Sequence, residues 1–300
     1  MVEKVGRLNI QEIGRRGVLF TFEKPFKTNV FIITGNNHVF LLDTFLGNEP
    51  MMEIKRYLEE KGLHSRPVVV FNSHADYDHY WGNGSFGTSI IIGHELCLKR
   101  IEKESSEALS SFEGEKQGDV EIVPPNLVFS ERIVFVDEGV EFYYTPGHTT
   151  DSASCFDHVD RTLFVGDNIE SPIPYLNELD FRTYKSTLQE YLIREAKTVL
   201  CGHSGAMNDA NLIKDCLDYV NRFEWQRVET DKLDRKGKIT HFMNISNIAD
   251  KLKDRRLLKE ALSYYKQGRA LLDQMPDDVQ GKEQQKKRID EIITLLSSQQ

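Results

Sequence analysis

The chain has 300 residues, 39% of them hydrophobic, and a formal net charge of −9. That length can bury one large core or a core plus a small second domain, and it holds no apolar stretch of the roughly 20 residues needed to cross a bilayer. The acidic balance argues against nucleic acid as a general partner, because phosphate binding wants a basic face. Cys97, Cys155, Cys201 and Cys216 are scattered with no paired spacing, so neither a disulfide framework nor a zinc knuckle is indicated. The opening residues 1–7 lack the apolar segment of a secretory signal, from which a cytoplasmic location is expected.

In chain order, the first informative element is the uninterrupted apolar run Val68, Val69, Val70, Phe71, which predicts a buried strand. It runs directly into Asn72, Ser73, His74, Ala75, Asp76, Tyr77, Asp78 and His79, which pack four metal donors into six residues at a strand end. Taken singly, such residues could be turn or helix-capping positions. Residues 102–119 then read as a helix followed by a mobile loop. Residues 142–145 (Phe-Tyr-Tyr-Thr) predict a strand leading into Pro146, Gly147 and His148. Residues 161–165 predict another, followed by Gly166 and Asp167, and residues 198–201 a third, followed by Gly202 and His203. Each unit is an apolar strand, a glycine that permits close backbone approach, and a donor. His38, His64, His94, His158 and His241 fall outside this recurrence and are expected to be surface or packing residues.

Beyond residue 244 the texture becomes charged and helical. Leu258, Leu262, Tyr265 and Leu272 recur at helical spacing, Pro276 ends that helix, and Ile289, Ile292, Ile293 and Leu296 mark another. The division expected is a main domain over residues 1–240 and a helical appendage over 244–300. The apolar stripes of the appendage must be covered, by the main domain or by a second copy as a homodimer.

The order His74-x-Asp76-x-Asp78-His79, Gly147-His148, Gly166-Asp167, Gly202-His203 resembles the metallo-β-lactamase superfamily, whose pattern is His-x-His-x-Asp-His followed by Gly-His, Gly-Asp and Gly-His. Residues 29–34 and 39–44 look like the family's opening hairpin, and Asp43 resembles its carboxylate that fixes a ligand imidazole. The resemblance implies an α/β (α+β) fold, an αββα four-layer sandwich of two mixed sheets, here followed by a helical hairpin. It also implies two divalent ions, zinc first and iron or manganese as alternatives. One would be held by His74, Asp76 and His148, the other by Asp78, His79 and His203, with Asp167 between them. The implied activity is metal-dependent hydrolysis of an ester, thioester, lactone or related bond of a small molecule by a bridging hydroxide, with Asp78 orienting the nucleophile.

The departure is Asp76, where most members carry a second His. Three carboxylates and the hydroxide would cancel two divalent cations, a neutral centre that keeps a di-iron oxidoreductase of flavodiiron type as the alternative. That family has Glu at this position and usually a fused flavin-binding domain, for which the helical tail here is too short and without the phosphate loop. No Arg or Lys lies within the motifs to capture a phosphate. Tyr77, Tyr80 and Trp81 flank the metal motif and could wall a cleft or pack in the core. Cys201 lies two residues before His203, and burial at its strand end is the expectation.

Overall fold

A computed structural model describes residues 8–298. The elements are β1 (Leu8–Ile13), β2 (Gly17–Phe22), β3 (Thr28–Thr34), β4 (Val39–Leu42), α1 (Asn48–Glu60), β5 (Val68–Phe71), α2 (Tyr77–Tyr80), β6 (Ile90–His94), α3 (Glu95–Ser111), β7 (Leu127–Phe129), β8 (Arg132–Phe135), β9 (Val140–Tyr144), β10 (Ala153–Asp157), β11 (Thr162–Phe164), α4 (Phe181–Ile193), β12 (Thr198–Leu200), α5 (Asn211–Glu224), α6 (Arg235–Asp254), α7 (Leu258–Gln274) and α8 (Lys282–Ser297). They build two mixed sheets. The first has seven strands in the order β1-β2-β3-β4-β5-β6-β7, antiparallel through β4 and parallel from there on. The second has five in the order β12-β11-β10-β9-β8, antiparallel except for the β11–β12 pair.

Residues of β3, β4 and β5 explain the layering. Side chains alternate across a strand, so Phe31, Ile33, Phe40, Leu42, Val69 and Phe71 point between the sheets, where they meet Val140, Phe142, Cys155, Phe164 and Leu200. Phe71 stacks on Phe142 with ring centroids 4.4 Å apart. The alternate set, Val30, Ile32, Val39, Leu41 and Val70, points outward into a second core with Met51, Ile54 and Leu58 of α1 and Cys97 and Ile101 of α3. A strand covered on both faces has no use for polar positions, which is why these segments read as continuous apolar runs. The expected strands and the αββα arrangement are present.

Outside the second sheet lies the third core, where Tyr143, Phe156, Leu163 and Val199 pack against α4, α5 and all three C-terminal helices. The expected hairpin is α7–α8, and the long α6 precedes it and runs through residues 240–244 without a break. Leu262, Tyr265, Leu272, Ile289 and Leu296 are buried in the same core as Leu188, Val220 and Phe223. Of the other stripe residues, Leu258, Ile292 and Ile293 are partly buried against this core. All four cysteines, Cys201 included, are free and buried, and among the described residues no helix is long and apolar enough to cross a membrane.

Candidate metal centre

The two sheets deliver their donors to one rim of the sandwich. From the first sheet come Asp43, immediately after β4, and His74, Asp76, Asp78 and His79, after β5 and on α2. From the second come His148 beyond β9, Asp167 beyond β11 and His203 beyond β12. Close approach is built into the backbone there. A side chain at Gly202 would collide with the Asp167 carboxylate and the His79 ring, and one at Gly166, whose φ is +53°, would meet Ser73. These contacts give the strand–Gly–donor recurrence its physical reason.

All seven sequence-predicted donors converge. Asp76 Oδ2 lies 3.4 Å from His74 Nε2 and 3.2 Å from His148 Nε2. Asp78 Oδ2 lies 3.6 Å from His79 Nε2 and 3.3 Å from His203 Nε2. Asp167 Oδ2 sits between the two groups, 3.9 Å from His74 Nε2, 3.4 Å from His79 Nε2 and 3.0 Å from His203 Nε2. The triads His74–Asp76–His148, His74–His79–Asp167 and Asp78–His79–His203 each bring their donor atoms within 4.8 Å of one another. Donors on a tetrahedron with bonds of about 2.0–2.1 Å stand roughly 3.3–3.4 Å apart, so the spacing suits a small divalent cation.

Each imidazole is turned the same way. His79 Nδ1 donates to Asp43 Oδ2 at 2.7 Å, His148 Nδ1 to the Tyr175 carbonyl at 3.2 Å, and His203 Nδ1 to the Lys27 carbonyl at 2.6 Å. His74 Nδ1 donates to Ser73 Oγ at 2.9 Å, because that hydroxyl spends its own proton on Asp43 Oδ2 at 2.8 Å. Partners that accept from each Nδ1 outside the cluster therefore leave all four Nε2 atoms facing the centre, the arrangement that fixes a ligand tautomer. Nε2 of His74 and of His79 and Oδ1 of Asp167 are buried with no hydrogen-bond partner, which an uncompensated protein interior does not tolerate cheaply. The donor set fits a metal.

Electrostatics of the metal-free site follow from this crowding. Burial opposes charge on His79, but Asp167, Asp78 and Asp43 outweigh it and hold the ring well above its ordinary value. His203 is pushed up to about 10, burial again being outweighed by Asp167. Asp167 and Asp76 are correspondingly held well below the usual carboxylate range: the neighbouring histidines overcome burial, and at Asp76 Arg100 adds to them. Glu170 is pushed up to about 7 by burial and by the charge of Asp167. A cation entering the site would take the place of protons that the carboxylates otherwise hold on the imidazoles.

Several contributors have no local signal in the sequence. Arg100 on α3 reaches Asp76 Oδ1 with Nη2, Asp151 Oδ1 with Nη1 at 3.0 Å and Glu104 with Nε at 3.0 Å. It adds a positive charge, and its partners Asp151 and Glu104 two negative ones, that the count over the motif residues alone omits. Asp151 also accepts from the Ala75 amide at 2.7 Å. Asn168 holds the His148 loop, accepting from His148 N at 2.8 Å and donating to the Thr145 carbonyl at 2.7 Å. Asn177 Nδ2 lies 3.2 Å from His148 Nε2, and Asn247 of α6 steadies it by donating to its Oδ1 at 2.9 Å. Asp151, in the Gly-His loop, and Asn168, next to Asp167, were within reach of sequence reasoning; Arg100 and Asn247 are brought in by α3 and α6, and Asn177 by the loop between β11 and α4.

Asp76 occupies the N-cap position of α2, yet its side chain makes no capping bond. A cleft of about 750 Å³ opens beside it, walled by Tyr77, Ala108 and Phe112 on one side and Asn177, Asn247 and Lys251 on the other. Tyr77 stacks on Phe112 at 4.1 Å, whereas Tyr80 and Trp81 are core residues. The remaining histidines stay away from the cluster: His38 pairs with Glu138, His158 with Glu141, His94 and His241 are buried elsewhere, and His64 is exposed.

The sequence profile of the metallo-beta-lactamase superfamily matches residues 24–203, and the chain belongs to that family. Among curated relatives, an N-acyl homoserine lactonase of Bacillus cereus is 26% identical over 150 residues, covering 45% of this chain and 55% of that protein. One of Bacillus thuringiensis is 28% identical over 154 residues with the same coverage. The chain thus spans about half the length of the curated relatives it matches. Among solved structures, a metallo-beta-lactamase from Pontibacter korlensis superposes with a TM-score of 0.57 at 20% identity, over 72% of this chain and 99% of that one. The DIM-1 metallo-beta-lactamase gives 0.59 at 17% identity, over 73% and 100%. These similarities concern the fold.

Proposed function

We propose that the chain is a metal-dependent hydrolase of a small lactone or ester, working with two divalent ions, zinc foremost. The observation that carries this reading is the set of four imidazoles with Nδ1 tied outward and Nε2 turned onto three carboxylates. His74, Asp76 and His148 would hold one ion and Asp78, His79 and His203 the other, with Asp167 reaching both. When bound, such a pair supplies a nucleophile at neutral pH and polarises the bond under attack.

The protein's own part is to fix geometry. Asp43 holds His79 and, through Ser73, His74, so that two imidazoles on the first sheet answer to one buried carboxylate. Asp78 Oδ2 would accept a hydrogen bond from the attacking water. Asn177 Nδ2, beside His148 Nε2 and steadied by Asn247, would donate to a polar oxygen of the substrate. The stacked pair of Tyr77 and Phe112 offers an apolar wall for the remainder of the molecule. Lactones come first because the relatives matched in sequence are named lactonases.

The test is a substrate panel of acyl homoserine lactones, simple esters, thioesters, β-lactams and phosphodiesters, run on protein reconstituted with zinc, manganese or iron. Turnover of a lactone or ester that stops on chelation and returns with metal is the expected result. Full turnover by chelated, metal-free protein would overturn the reading, and so would oxygen consumption by the iron form without hydrolysis.

A further inference from the structure

Asp76 is the one position of the motif where this chain departs from the family's pattern, and its two oxygens face opposite ways. Oδ2 looks inward, 3.2 Å from His148 Nε2 and 3.4 Å from His74 Nε2. Oδ1 looks outward to the Arg100 guanidinium. A carboxylate left to itself can chelate a cation with both oxygens or swing between modes; an imidazole offers one neutral donor. With Oδ1 engaged by a guanidinium, the carboxylate also has a single donor to give, and part of its charge is offset.

Arg100 is not free for other work. Its Nη1 is 3.0 Å from Asp151 Oδ1 and its Nε 3.0 Å from Glu104 Oε2, one turn further along α3. Asp151 is fully buried and is itself fixed by the Ala75 amide, one residue before Asp76. The guanidinium is therefore clamped on three edges by carboxylates, which suits a fixed support and not an anchor for a substrate anion. Lys103 and Lys251 line the same cleft, but they lie 3.8 Å from Glu104 and 3.4 Å from Glu178 respectively and do not reach Asp76.

We propose that Arg100 is a positioning residue for the metal centre: by holding Oδ1 it converts Asp76 into a single-oxygen donor that takes the place of the imidazole found there in the His-x-His-x-Asp-His pattern. This rests on the metal-binding reading above. It makes Arg100 and Asp76 one functional unit, so that either residue has its full effect only in the presence of the other.

A double-mutant cycle isolates that coupling. Native protein, Arg100→Ala, Asp76→His and the double variant are stripped of metal. Zinc alone is then titrated against a chromophoric chelator, and zinc per chain is counted by elemental analysis. Arg100→Ala should weaken one zinc ion by roughly 10–100-fold, the usual consequence of removing a group that orients a ligand. In the Asp76→His background the same substitution should change affinity by less than about threefold, because an imidazole needs no guanidinium behind it. Equal losses in both backgrounds would overturn the proposal and leave Arg100 as a support for buried Asp151; unchanged or tighter zinc binding by Arg100→Ala would overturn it as well. Should Arg100→Ala not fold, Arg100→Lys keeps a cation without the fork that spans Asp76 and Asp151, and the same dependence on background is required of it. Failure of the native chain to bind zinc at all would be a different result, and would count against the hydrolase reading itself.

Discussion

Asp43 accepts three hydrogen bonds in a pocket closed to solvent: Ser73 N at 2.7 Å, Ser73 Oγ at 2.8 Å and His79 Nδ1 at 2.7 Å. The residue sits in the left-handed region at φ +59°, so the chain accepts local backbone strain to aim this carboxylate. At this scale the site is a chain of obligations in which every inward-facing nitrogen is held by an outward-facing proton. Removing one donor should therefore be costly even where the fold survives. His148→Ala and Asp167→Ala are each expected to abolish hydrolysis and to lower bound metal below that of native protein, as counted by elemental analysis. Full metal content and full activity in either variant would show that the residue is no ligand.

Among the elements, α6 does most to join the C-terminal helices to the site. Its Asn244 donates to the Pro174 carbonyl and accepts from Leu176 N, and its Asn247 donates to the Leu176 carbonyl and to Asn177, so the helix fastens the segment that lies over His148. One turn before, His241 is buried against Tyr219, whose hydroxyl donates to His241 Nδ1 at 2.9 Å while accepting from Asn244. Burial pushes His241 down to about 4 from its ordinary 6.5. The unfolded chain then takes up the proton first as pH falls, so this group contributes stability above pH 6.5 that is lost progressively down to about pH 4. The loss amounts to about 3 kcal/mol. Denaturant unfolding of native protein and His241→Phe across that range should show a smaller acid-side loss in the variant; superimposable pH profiles would rule the contribution out. The helical stripes of α7 and α8 were legible as stripes because helical spacing is local. That α6 would carry two asparagines onto a loop 70 residues earlier is not a local property, and no spacing announces it.

For the whole molecule, the decisive fact is that neither sheet holds a complete site. The first contributes His74, Asp76, Asp78 and His79, the second His148, Asp167 and His203, and the core between the sheets sets the distance across which they meet. A cation shared between them is linked to the fold as a whole, since it binds the folded state and finds no formed site in the unfolded one. Free zinc at a hundred times its dissociation constant should add about 2.7 kcal/mol per site and raise the melting temperature of metal-free native protein. Asp167→Ala should lose most of that shift; an equal shift in the variant would mean that zinc acts elsewhere. The sequence by itself determined the strands buried on both faces, the glycines beside the donors, the seven donors and the family they resemble. Those features depend on residue type and short spacing, which a linear reading retains. Only the tertiary structure decided that Arg100 lies behind Asp76, that Asn177, held by Asn247, borders His148, and that the C-terminal helices join the core outside the second sheet. These depend on how distant helices dock, and docking is set by the shape of packed side chains across layers, which no segment carries alone.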